Sequence, residues 1–368
     1  MKPILFNFTV PELEKFVTDM GQPKFRAKQI REWLMRGAPD FLCMKNLPDS
    51  LRKQLSEIAE TLPVKIVKKL CSSDGETTKF LLELHDGEQI ECVLMRTTYG
   101  NSVCVSSQAG CAMGCKFCAS TLLGLKRNLT SNEILSQILV AQWELRQDKM
   151  SDKSIRPNGD PNNDDVSHIV IMGTGEPLQN TENVIDFIER ANKDMGIGWR
   201  RITVSTCGIV PGIERLIEWG RPINLAISLH APTDELRSQI MPINNKYKIS
   251  DVMNAAWHFT DLHNRQLMIE YILLGKKDEN GETVLYNATP EYAEKLSELL
   301  HDKNCMVNLI PWNAVDERDF ASPSGNAVHR FQDTLIKNGI HTRIRRERGT
   351  DIGSACGQLR LNNAKGKK

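Results

Sequence analysis

The stretch Gly110-Cys-Ala-Met-Gly-Cys-Lys-Phe-Cys-Ala119 places Cys111, Cys115 and Cys118 within eight residues of one another. Three cysteines this close can converge only if the chain wraps around a common centre. Thiolates are the usual protein ligands of iron–sulfur clusters and of zinc. A structural zinc site normally needs four protein ligands, and the next cysteine along the chain is Cys207. The spacing therefore favours an iron–sulfur cluster over zinc or over unrelated buried cysteines.

Three ligands on a four-iron cluster leave one iron open to another molecule. That iron can chelate the amino and carboxylate groups of S-adenosylmethionine (SAM), and an electron from the cluster can then break the carbon–sulfur bond. The C-x3-C-x2-C spacing resembles the signature of the radical SAM superfamily, in which an aromatic residue such as Phe117 commonly precedes the third cysteine. The resemblance implies a [4Fe-4S] cluster and SAM as cofactors.

The chain around this stretch alternates strand-like apolar runs with helix-length segments, which indicates βαβ units and a parallel sheet. Six such units are two short of a complete (βα)8 barrel. We therefore predict an α/β fold, a partial (βα)6 radical SAM barrel with a small N-terminal helical accessory domain. The predicted strands cover residues 103–107, 168–172, 202–205, 224–228, 267–274, 306–310 and 341–345.

The remaining segments suggest a division of the chain. We expect an N-terminal helical accessory domain that binds RNA at 1–75, a β-hairpin linker region at 76–100, a radical SAM core at 101–350, and a C-terminal segment at 351–368. A helix from Phe25 that stops near Gly37 carries a basic face, which is either an RNA contact or a solvated surface. We expect a polar surface loop at 147–165 and a disordered tail from 362.

The bulk composition narrows the class of protein. A net charge of +1 gives no global basic field, so contacts with RNA must come from local patches. The chain has no apolar run long enough to cross a membrane, and its first residues mix acidic and polar types too early for a signal peptide. We expect a cytoplasmic protein, in which clustered cysteines bind metal or act in catalysis rather than form structural disulfides.

Candidate SAM contacts follow the later strands, because barrel sites form at the carboxyl ends of strands. The turn Met172-Gly-Thr-Gly-Glu-Pro177 offers backbone groups to the ammonium of SAM, and Glu176 adds a counter-charge. Ser205, Ser228 and His230 stand at the ends of later strands. Each of these alone would ordinarily be a structural residue.

Further motifs resemble one family. The chain closely resembles the RlmN/Cfr family of RNA methyltransferases over nearly its whole length. The matching motifs are Cys104-Val-Ser-Ser-Gln-Ala-Gly-Cys111, Gly124-Leu-Lys-Arg-Asn-Leu129, Gly175-Glu-Pro177, Ile227-Ser-Leu-His-Ala-Pro232, Met241-Pro-Ile-Asn244, Asn308-Leu-Ile-Pro-Trp-Asn313 and Asp351-Ile-Gly-Ser-Ala-Cys-Gly-Gln-Leu359.

The resemblance implies methylation of adenosine 2503 in 23S ribosomal RNA, at C2 for RlmN and at C8 for Cfr, and for RlmN also of C2 of adenosine 37 in certain tRNAs. The motifs favour RlmN, but the catalytic residues are shared and do not decide between the two carbons. The resemblance also implies a flavodoxin- or ferredoxin-type reductant. We expect a monomer with no membrane partner.

The resemblance assigns three catalytic roles. Cys356 is the carrier that is first S-methylated, Cys104 is the thiol that releases the product, and Glu91 accepts the C2 proton. Without that context, a lone cysteine in a strand is usually a small buried hydrophobe, and a lone glutamate is usually a solvated charge. The implied SAM contacts are Gly175, Glu176, Ser205, Ser228, Leu229, His230 and Asn313, and the implied basic RNA contacts include Lys126, Arg127, Arg345 and Arg346.

Two other classes of function stay open at this point. One is a radical SAM enzyme with different chemistry, which would have no need of both Cys104 and Cys356. The other is a non-catalytic RNA-binding protein with a structural metal, which would not cleave SAM.

Overall fold

The structure, a computed structural model, describes residues 2–151, 165–346, 349–353 and 357–366. Cys356 and most of the predicted polar loop therefore lie outside the described residues. The first residues of that loop are wrongly predicted, because helix α4 (Ser131–Ser151) continues beyond Gln147. Leu139 and its buried neighbours on the same helix pack into the core.

The N-terminal region is helical, as predicted, up to Ile58. Its first helix begins with a capping box, in which the Thr9 side chain accepts from the Glu12 amide and the Glu12 side chain accepts from the Thr9 amide. The helices here are α1 (Val10–Asp19), α2 (Phe25–Met35) and α3 (Asp49–Ile58).

Gly37 fixes how helix α2 ends against the rest of the protein. The backbone there is left-handed, with φ at +83°, and a Cβ atom would lie 2.1 Å from the carbonyl oxygen of Leu139 on α4. A glycine is therefore required for both its conformation and its lack of a side chain. The predicted helix stop at Gly37 is confirmed, and its structural reason is the close approach of α4.

One ten-stranded sheet forms the centre of the molecule, in the order β1-β2-β3-β4-β7-β8-β9-β10-β13-β14. The strands are β1 (Val64–Cys71), β2 (Thr77–Leu84), β3 (Gln89–Thr97), β4 (Gly100–Cys104), β5 (Gln108–Ala109), β6 (Arg127–Asn128), β7 (Val166–Ile171), β8 (Ile202–Thr206), β9 (Asn224–Ser228), β10 (Leu267–Leu273), β11 (Gly275–Lys277), β12 (Thr283–Leu285), β13 (Cys305–Pro311) and β14 (Thr342–Ile344).

The first four strands of the sheet are antiparallel. The predicted hairpin is β2 and β3, and β3 continues the sheet by pairing with β4. Strand β1 was not predicted, because its sequence Val-Lys-Ile-Val-Lys-Lys-Leu-Cys is rich in lysine and most of its side chains face solvent. Lysine on an exposed edge strand discourages pairing with another chain.

From β4 onward, seven strands run parallel in sequence order, with helices between them. The predicted partial (βα)6 barrel is thereby confirmed, and each predicted strand lies within two or three residues of an observed one. The helices after α4 are α5 (Thr181–Met195), α6 (Val210–Trp219), α7 (Asp234–Ile240), α8 (Ile249–Leu262), α9 (Pro290–Leu300), α10 (Gly325–Lys337) and α11 (Gln358–Ala364).

Helix α11 contradicts the predicted disordered tail, since it runs through residues 362–364. Leu359 and Leu361 are buried on this helix. Their burial, together with backbone hydrogen bonds that Glu91 accepts, holds the segment against the sheet. Within the described residues, no helix is both long and apolar enough to span a bilayer.

Substituting Gly37 by alanine tests the close approach of α2 and α4. Gly21 has a similar left-handed φ of +73°, but a Cβ atom there would meet no other atom within 4 Å, so Gly21→Ala is the matched control. Both variants should lose about 1–2 kcal/mol for the left-handed backbone, and Gly37→Ala should lose a further amount of about 1–3 kcal/mol for overpacking. Urea unfolding measures both. Equal losses in the two variants would contradict a tight contact.

Candidate active site

The cysteine loop (Cys111–Cys118) begins seven residues after β4 ends. Its backbone is held by hydrogen bonds with later elements. The Lys116 amide donates to the carbonyl of Ile240 at 2.9 Å. The Trp312 indole donates to the carbonyl of Phe117 at 3.1 Å, and the Arg318 guanidinium donates to the carbonyl of Cys118 at 2.6 Å. Segments from the ends of α7 and β13 thus fix the loop from two sides.

The three cysteine side chains of the loop are close enough to interact electrostatically. Burial raises the pKa of Cys111 to about 12, with a further contribution from Cys118. Burial also raises the pKa of Cys115, and Cys118, Cys111 and Glu176 raise it further. Thiolates gathered at such a site need a positively charged partner, which a metal centre supplies.

The donor set of the loop consists of three cysteine side chains, Cys111, Cys115 and Cys118. Cysteine thiolates are the ligands that hold iron–sulfur clusters. Two buried thiols and one half-buried thiol in a mostly apolar surrounding fit such a group.

Glu176 lies at the end of β7, but its carboxylate is engaged by the protein. Its Oε1 accepts from the Leu178 amide at 3.0 Å and from the Thr206 hydroxyl at 2.7 Å, and its Oε2 accepts from the Cys207 amide at 2.8 Å. Burial raises the pKa of this carboxyl group, and these hydrogen bonds oppose the rise. Glu176 therefore ties the ends of β7 and β8 together, a role that the sequence did not indicate.

Gly175 allows the turn after β7 to pack closely on Ser107 and Gln108. Its φ is +113°, and a Cβ atom there would lie 2.7 Å from the Cβ of Gln108 and 2.8 Å from the Ser107 hydroxyl. The Gln108 side chain in turn accepts from the Glu176 amide at 2.8 Å. The β7 turn is thus packed directly on the segment that leads into the cysteine loop.

His230 follows β9 and faces the cysteine loop. Its ring meets the ring of Phe117 edge to face, with centroids 5.0 Å apart. Its Nδ1 accepts from the Ile272 amide at 3.0 Å. Burial lowers the pKa of His230 to about 3, with Arg237 adding to the effect. The imidazole is therefore neutral near pH 7, with Nδ1 fixed as an acceptor.

The other predicted SAM residues occupy neighbouring strand ends. The hydroxyl oxygens of Ser205 on β8 and Ser228 on β9 are 3.5 Å apart. Leu229 is fully buried beside them, and Asn313 is half-buried just beyond β13. All seven predicted contacts thus lie at the carboxyl edge of the parallel strands, where a ligand would bind.

Arg237, on α7, is a structural residue of this edge that sequence reasoning missed. Its guanidinium is fully buried. All four of its hydrogen bonds go to uncharged acceptors, the carbonyls of Leu229, Cys207 and Ser228 and the Asn244 side chain. Asn244 belongs to the Met241-Pro-Ile-Asn244 motif. The sequence drew attention to this motif but did not indicate that Asn244 binds Arg237.

Glu91 lies on β3, away from the parallel strands, and contacts the C-terminal segment. Its Oε1 accepts from the Arg360 amide at 2.7 Å, and its Oε2 accepts from the Gly357 amide at 3.1 Å. The ammonium of Lys79 lies 3.0 Å from Oε2. The carboxylate therefore holds the first turn of α11.

Cys104 shares a face of the sheet with Glu91. Lys79 pairs with Val93 across β2 and β3, and Val93 pairs with Cys104 across β3 and β4. Residues in register point to the same face, as do residues two apart on one strand. Lys79, Glu91 and Cys104 therefore lie on the same face of the sheet.

Helix α11 also touches the cysteine loop. Leu361 packs in the same buried cluster as Cys111 and Cys115. A Cβ atom on Gly357 would lie 2.6 Å from the hydroxyl of Ser120, two residues after Cys118. The predicted carrier, Cys356, precedes Gly357 in sequence and lies outside the described residues.

Comparison with known proteins identifies the family. Residues 4–61 match a model described as the ribosomal RNA large subunit methyltransferase N-terminal domain, and residues 105–287 match the radical SAM superfamily. A relative from Clostridium acetobutylicum, named a probable dual-specificity RNA methyltransferase RlmN, is 45% identical over 360 residues, covering 97% of each chain. One of the same name from Geobacillus kaustophilus is 44% identical and covers 99% of this chain and 94% of its own.

The chain belongs to the RlmN family. A solved radical SAM methyltransferase from Sphaerobacter thermophilus has 38% sequence identity and a TM-score of 0.81, covering 97% of this chain and 98% of its own. The resemblance drawn from the motifs is confirmed. Radical SAM proteins in general use SAM and a [4Fe-4S] cluster, and the cysteine loop of this RlmN family member fits that cluster.

The basic residues predicted to contact RNA differ in availability. Lys126 and Arg345 are exposed. Arg127 makes a bidentate pair with Glu133 and a further contact with Asp86, which raise its pKa above the ordinary value for arginine. Arg346 lies 3.5 Å from Glu76. Arg127 therefore also joins elements of this RlmN family member, and all four residues stay predicted RNA contacts.

Replacing Glu176 by glutamine tests its role in joining β7 and β8. Glutamine has one acceptor oxygen, so either the Cys207 amide or the Leu178–Thr206 pair loses its acceptor. We expect the free energy of unfolding, measured without SAM, to fall by about 1–3 kcal/mol. Glu182→Gln, which removes the exposed pair with Arg215, should change it by less than about 1 kcal/mol. Unaltered stability of the Glu176 variant would show that the three contacts do not support the fold.

Proposed function

We propose that this protein methylates C2 of adenosine 2503 in 23S ribosomal RNA, and C2 of adenosine 37 in tRNA, through an S-methylcysteine on Cys356. The observation that carries the proposal is the position of α11. Glu91 binds the amides of Gly357 and Arg360, directly after Cys356, while Leu361 packs against the cysteine loop. The residues directly after Cys356 thus contact Glu91 on one side and share a buried cluster with the cysteine loop on the other.

The chemistry of adenine explains why two cysteines and a radical are needed. C2 of adenine is electrophilic, so it cannot attack the methyl group of SAM. Cys356 can do so, because its thiolate is a nucleophile that displaces the methyl group and releases S-adenosylhomocysteine. The methyl group then belongs to the protein, where it can be activated next to the base.

In this proposal Cys111, Cys115 and Cys118 hold the [4Fe-4S] cluster. When bound, the cluster supplies the electron that cleaves a second SAM to methionine and a 5′-deoxyadenosyl radical. The proposed SAM contacts are Gly175, Glu176, Ser205, Ser228, Leu229, His230 and Asn313, at the strand ends beside the loop, and Glu176 also shapes the turn that presents them. Support comes from their common position at the carboxyl edge of the sheet.

The remaining steps use Glu91 and Cys104. The 5′-deoxyadenosyl radical takes a hydrogen atom from the S-methyl group, and the resulting carbon radical adds to C2, which links protein to RNA. Glu91 accepts the C2 proton, a step suited to a carboxylate, and the unpaired electron of the adduct passes to the oxidised cluster. Cys104 then attacks the sulfur of Cys356, the bond between that sulfur and the transferred carbon breaks as the carbon takes up the thiol proton, and the two cysteines become a disulfide. A flavodoxin- or ferredoxin-type reductant supplies electrons, and the disulfide must be reduced before another turnover.

Methylation of C8, as in Cfr, is the second candidate, because it would use the same cysteines. The motifs Gly175-Glu-Pro177, Pro311-Trp-Asn313 and Ile344-Arg-Arg-Glu-Arg-Gly349 favour C2, and the relatives named above carry the RlmN name. Mass spectrometry of ribosomal RNA from cells that express the protein decides between them. We expect 2-methyladenosine at position 2503, and finding 8-methyladenosine instead would overturn the C2 assignment.

Substituting Cys104 by alanine tests the release step. Without the resolving thiol, the covalent link between Cys356 and the RNA cannot be broken by disulfide formation. We therefore expect a covalent protein–RNA adduct to accumulate. On a denaturing gel it migrates more slowly than the free protein, and ribonuclease treatment removes most of that shift. Free methylated RNA at normal yield would exclude the role of Cys104.

Substituting Cys356 by alanine tests the carrier and serves as the control for the adduct. This variant should lose RNA methylation and form no adduct, while it retains bound iron and some cleavage of SAM to 5′-deoxyadenosine. Residual RNA methylation in Cys356→Ala would contradict a protein-bound methyl intermediate.

A further inference from the structure

Lys79 is a buried lysine on β2 to which no step of the proposed reaction assigns a role. Its side chain and that of Glu91 are each only 4% exposed. Its ammonium lies 3.0 Å from Oε2 of Glu91 and donates to the carbonyl oxygen of Gly353 at 2.9 Å. A lysine is rarely buried to this extent unless it is paired, and among the described residues Glu91 and Gly353 are partners of this ammonium.

The two contacts of Lys79 reach the chain on both sides of the proposed carrier. Gly353 precedes position 356 in sequence, and Glu91, the ionic partner of Lys79, binds the Gly357 and Arg360 amides that follow it. The pair formed by Lys79 and Glu91 is therefore a clamp, with one member on each flank of the carrier position.

Neighbouring contacts support the second flank of the clamp. The Arg360 guanidinium lies 2.8 Å from the Glu88 carboxylate, and the Asn363 side chain donates to Gln89 at 2.8 Å. Both partners lie at the start of β3 or just before it. On the first flank, the Lys79 ammonium donates to the Gly353 carbonyl, and the Ser73 amide donates to the Asp351 carboxylate.

We propose that Lys79 is a positioning residue for the methyl-carrier segment. Its charge fixes the Glu91 carboxylate, and its second hydrogen bond fixes the carbonyl of Gly353. Lys79 does not exchange a proton or touch the substrate. This inference rests on the proposed role of Cys356, and it adds the residue that sets where the carrier cysteine is presented.

The structure offers a matched set of variants. Lys79→Met removes the charge and both contacts but keeps much of the side-chain volume. Lys79→Arg keeps a positive charge and donors beside Glu91. Lys65→Met is the control. Lys65 is an exposed lysine on the same sheet, and its partner is Glu60 rather than a residue of the clamp.

Hydrogen exchange of the holoenzyme, read by mass spectrometry, tests the anchoring. We expect peptides that cover residues 349–366 to exchange several-fold faster in Lys79→Met, peptides from β8 to β10 to be unchanged, and Lys79→Arg to recover most of the protection. Lys65→Met should match the natural protein. Unchanged exchange at 349–366 in Lys79→Met would overturn the proposal, and so would an equal rise throughout the sheet, which indicates general destabilisation.

Separating the chemical steps tests the function of the anchor. Misplacement of a reacting group by about 1 Å can cost about one-hundredfold in rate, so methylation of Cys356 and of RNA should fall steeply in Lys79→Met. Iron content and cleavage of SAM without RNA should stay near normal. Normal RNA methylation in Lys79→Met would overturn the role of Lys79.

The proposed function and the positioning role of Lys79 fail in different ways. If the natural protein shows no methyl group on Cys356 and no methylated RNA, then the proposed function is wrong, whatever the variants do. If the natural protein shows both but Lys79→Met and Lys79→Arg behave like Lys65→Met, then only the positioning role of Lys79 is wrong.

Discussion

The buried guanidinium of Arg237 is the interaction on which the architecture of the site depends. Where parallel strands end, the ladder no longer pairs the backbone carbonyls, and at a buried edge those groups need other donors. Arg237 donates to the carbonyls that follow β8 and β9 and to Asn244 on the next turn. A planar group with five fixed donors suits this task better than lysine. The positions of Ser228, Leu229 and His230 follow from it.

A division of labour emerges among the polar residues at the strand ends. Glu176 accepts three hydrogen bonds and Arg237 donates four within the protein, so both groups help to shape the surface at the strand ends. His230 is partly used, because its Nδ1 accepts a backbone amide while its ring faces Phe117. Ser205 and Ser228 face each other across neighbouring strands. Removing the side chain of Glu176 or Arg237 should lower the stability of the protein itself. Removing that of Ser205 or Ser228 should act mainly on the binding of a ligand.

The parallel half of the fold could be predicted from the sequence because its strands are buried on both faces and read as continuous apolar runs. The cysteine loop and the positions of the strand-end residues could be predicted for a different reason, because motif spacing and strand ends are local features of the sequence. Strand β1 was not predicted because lysines interrupt its apolar pattern. Helix α11 was not predicted because it is short and depends on Glu91, which is 266 residues away from Gly357 in sequence. Lys79 and Arg237 read as ordinary charged residues, and only their burial reveals a role.

In the proposed mechanism Glu91 has two roles that are linked by its charge, as the acceptor of the C2 proton and as the group that binds the start of α11. Hydrogen bonds to an ionised carboxylate are roughly twice as strong as those to a neutral group, and the Lys79 ammonium is attracted more strongly to the ionised form. A Glu91 side chain that had taken a proton from the base would hold the Gly357 and Arg360 amides less firmly. In that mechanism, proton transfer and the hold on α11 are therefore coupled through one carboxyl group.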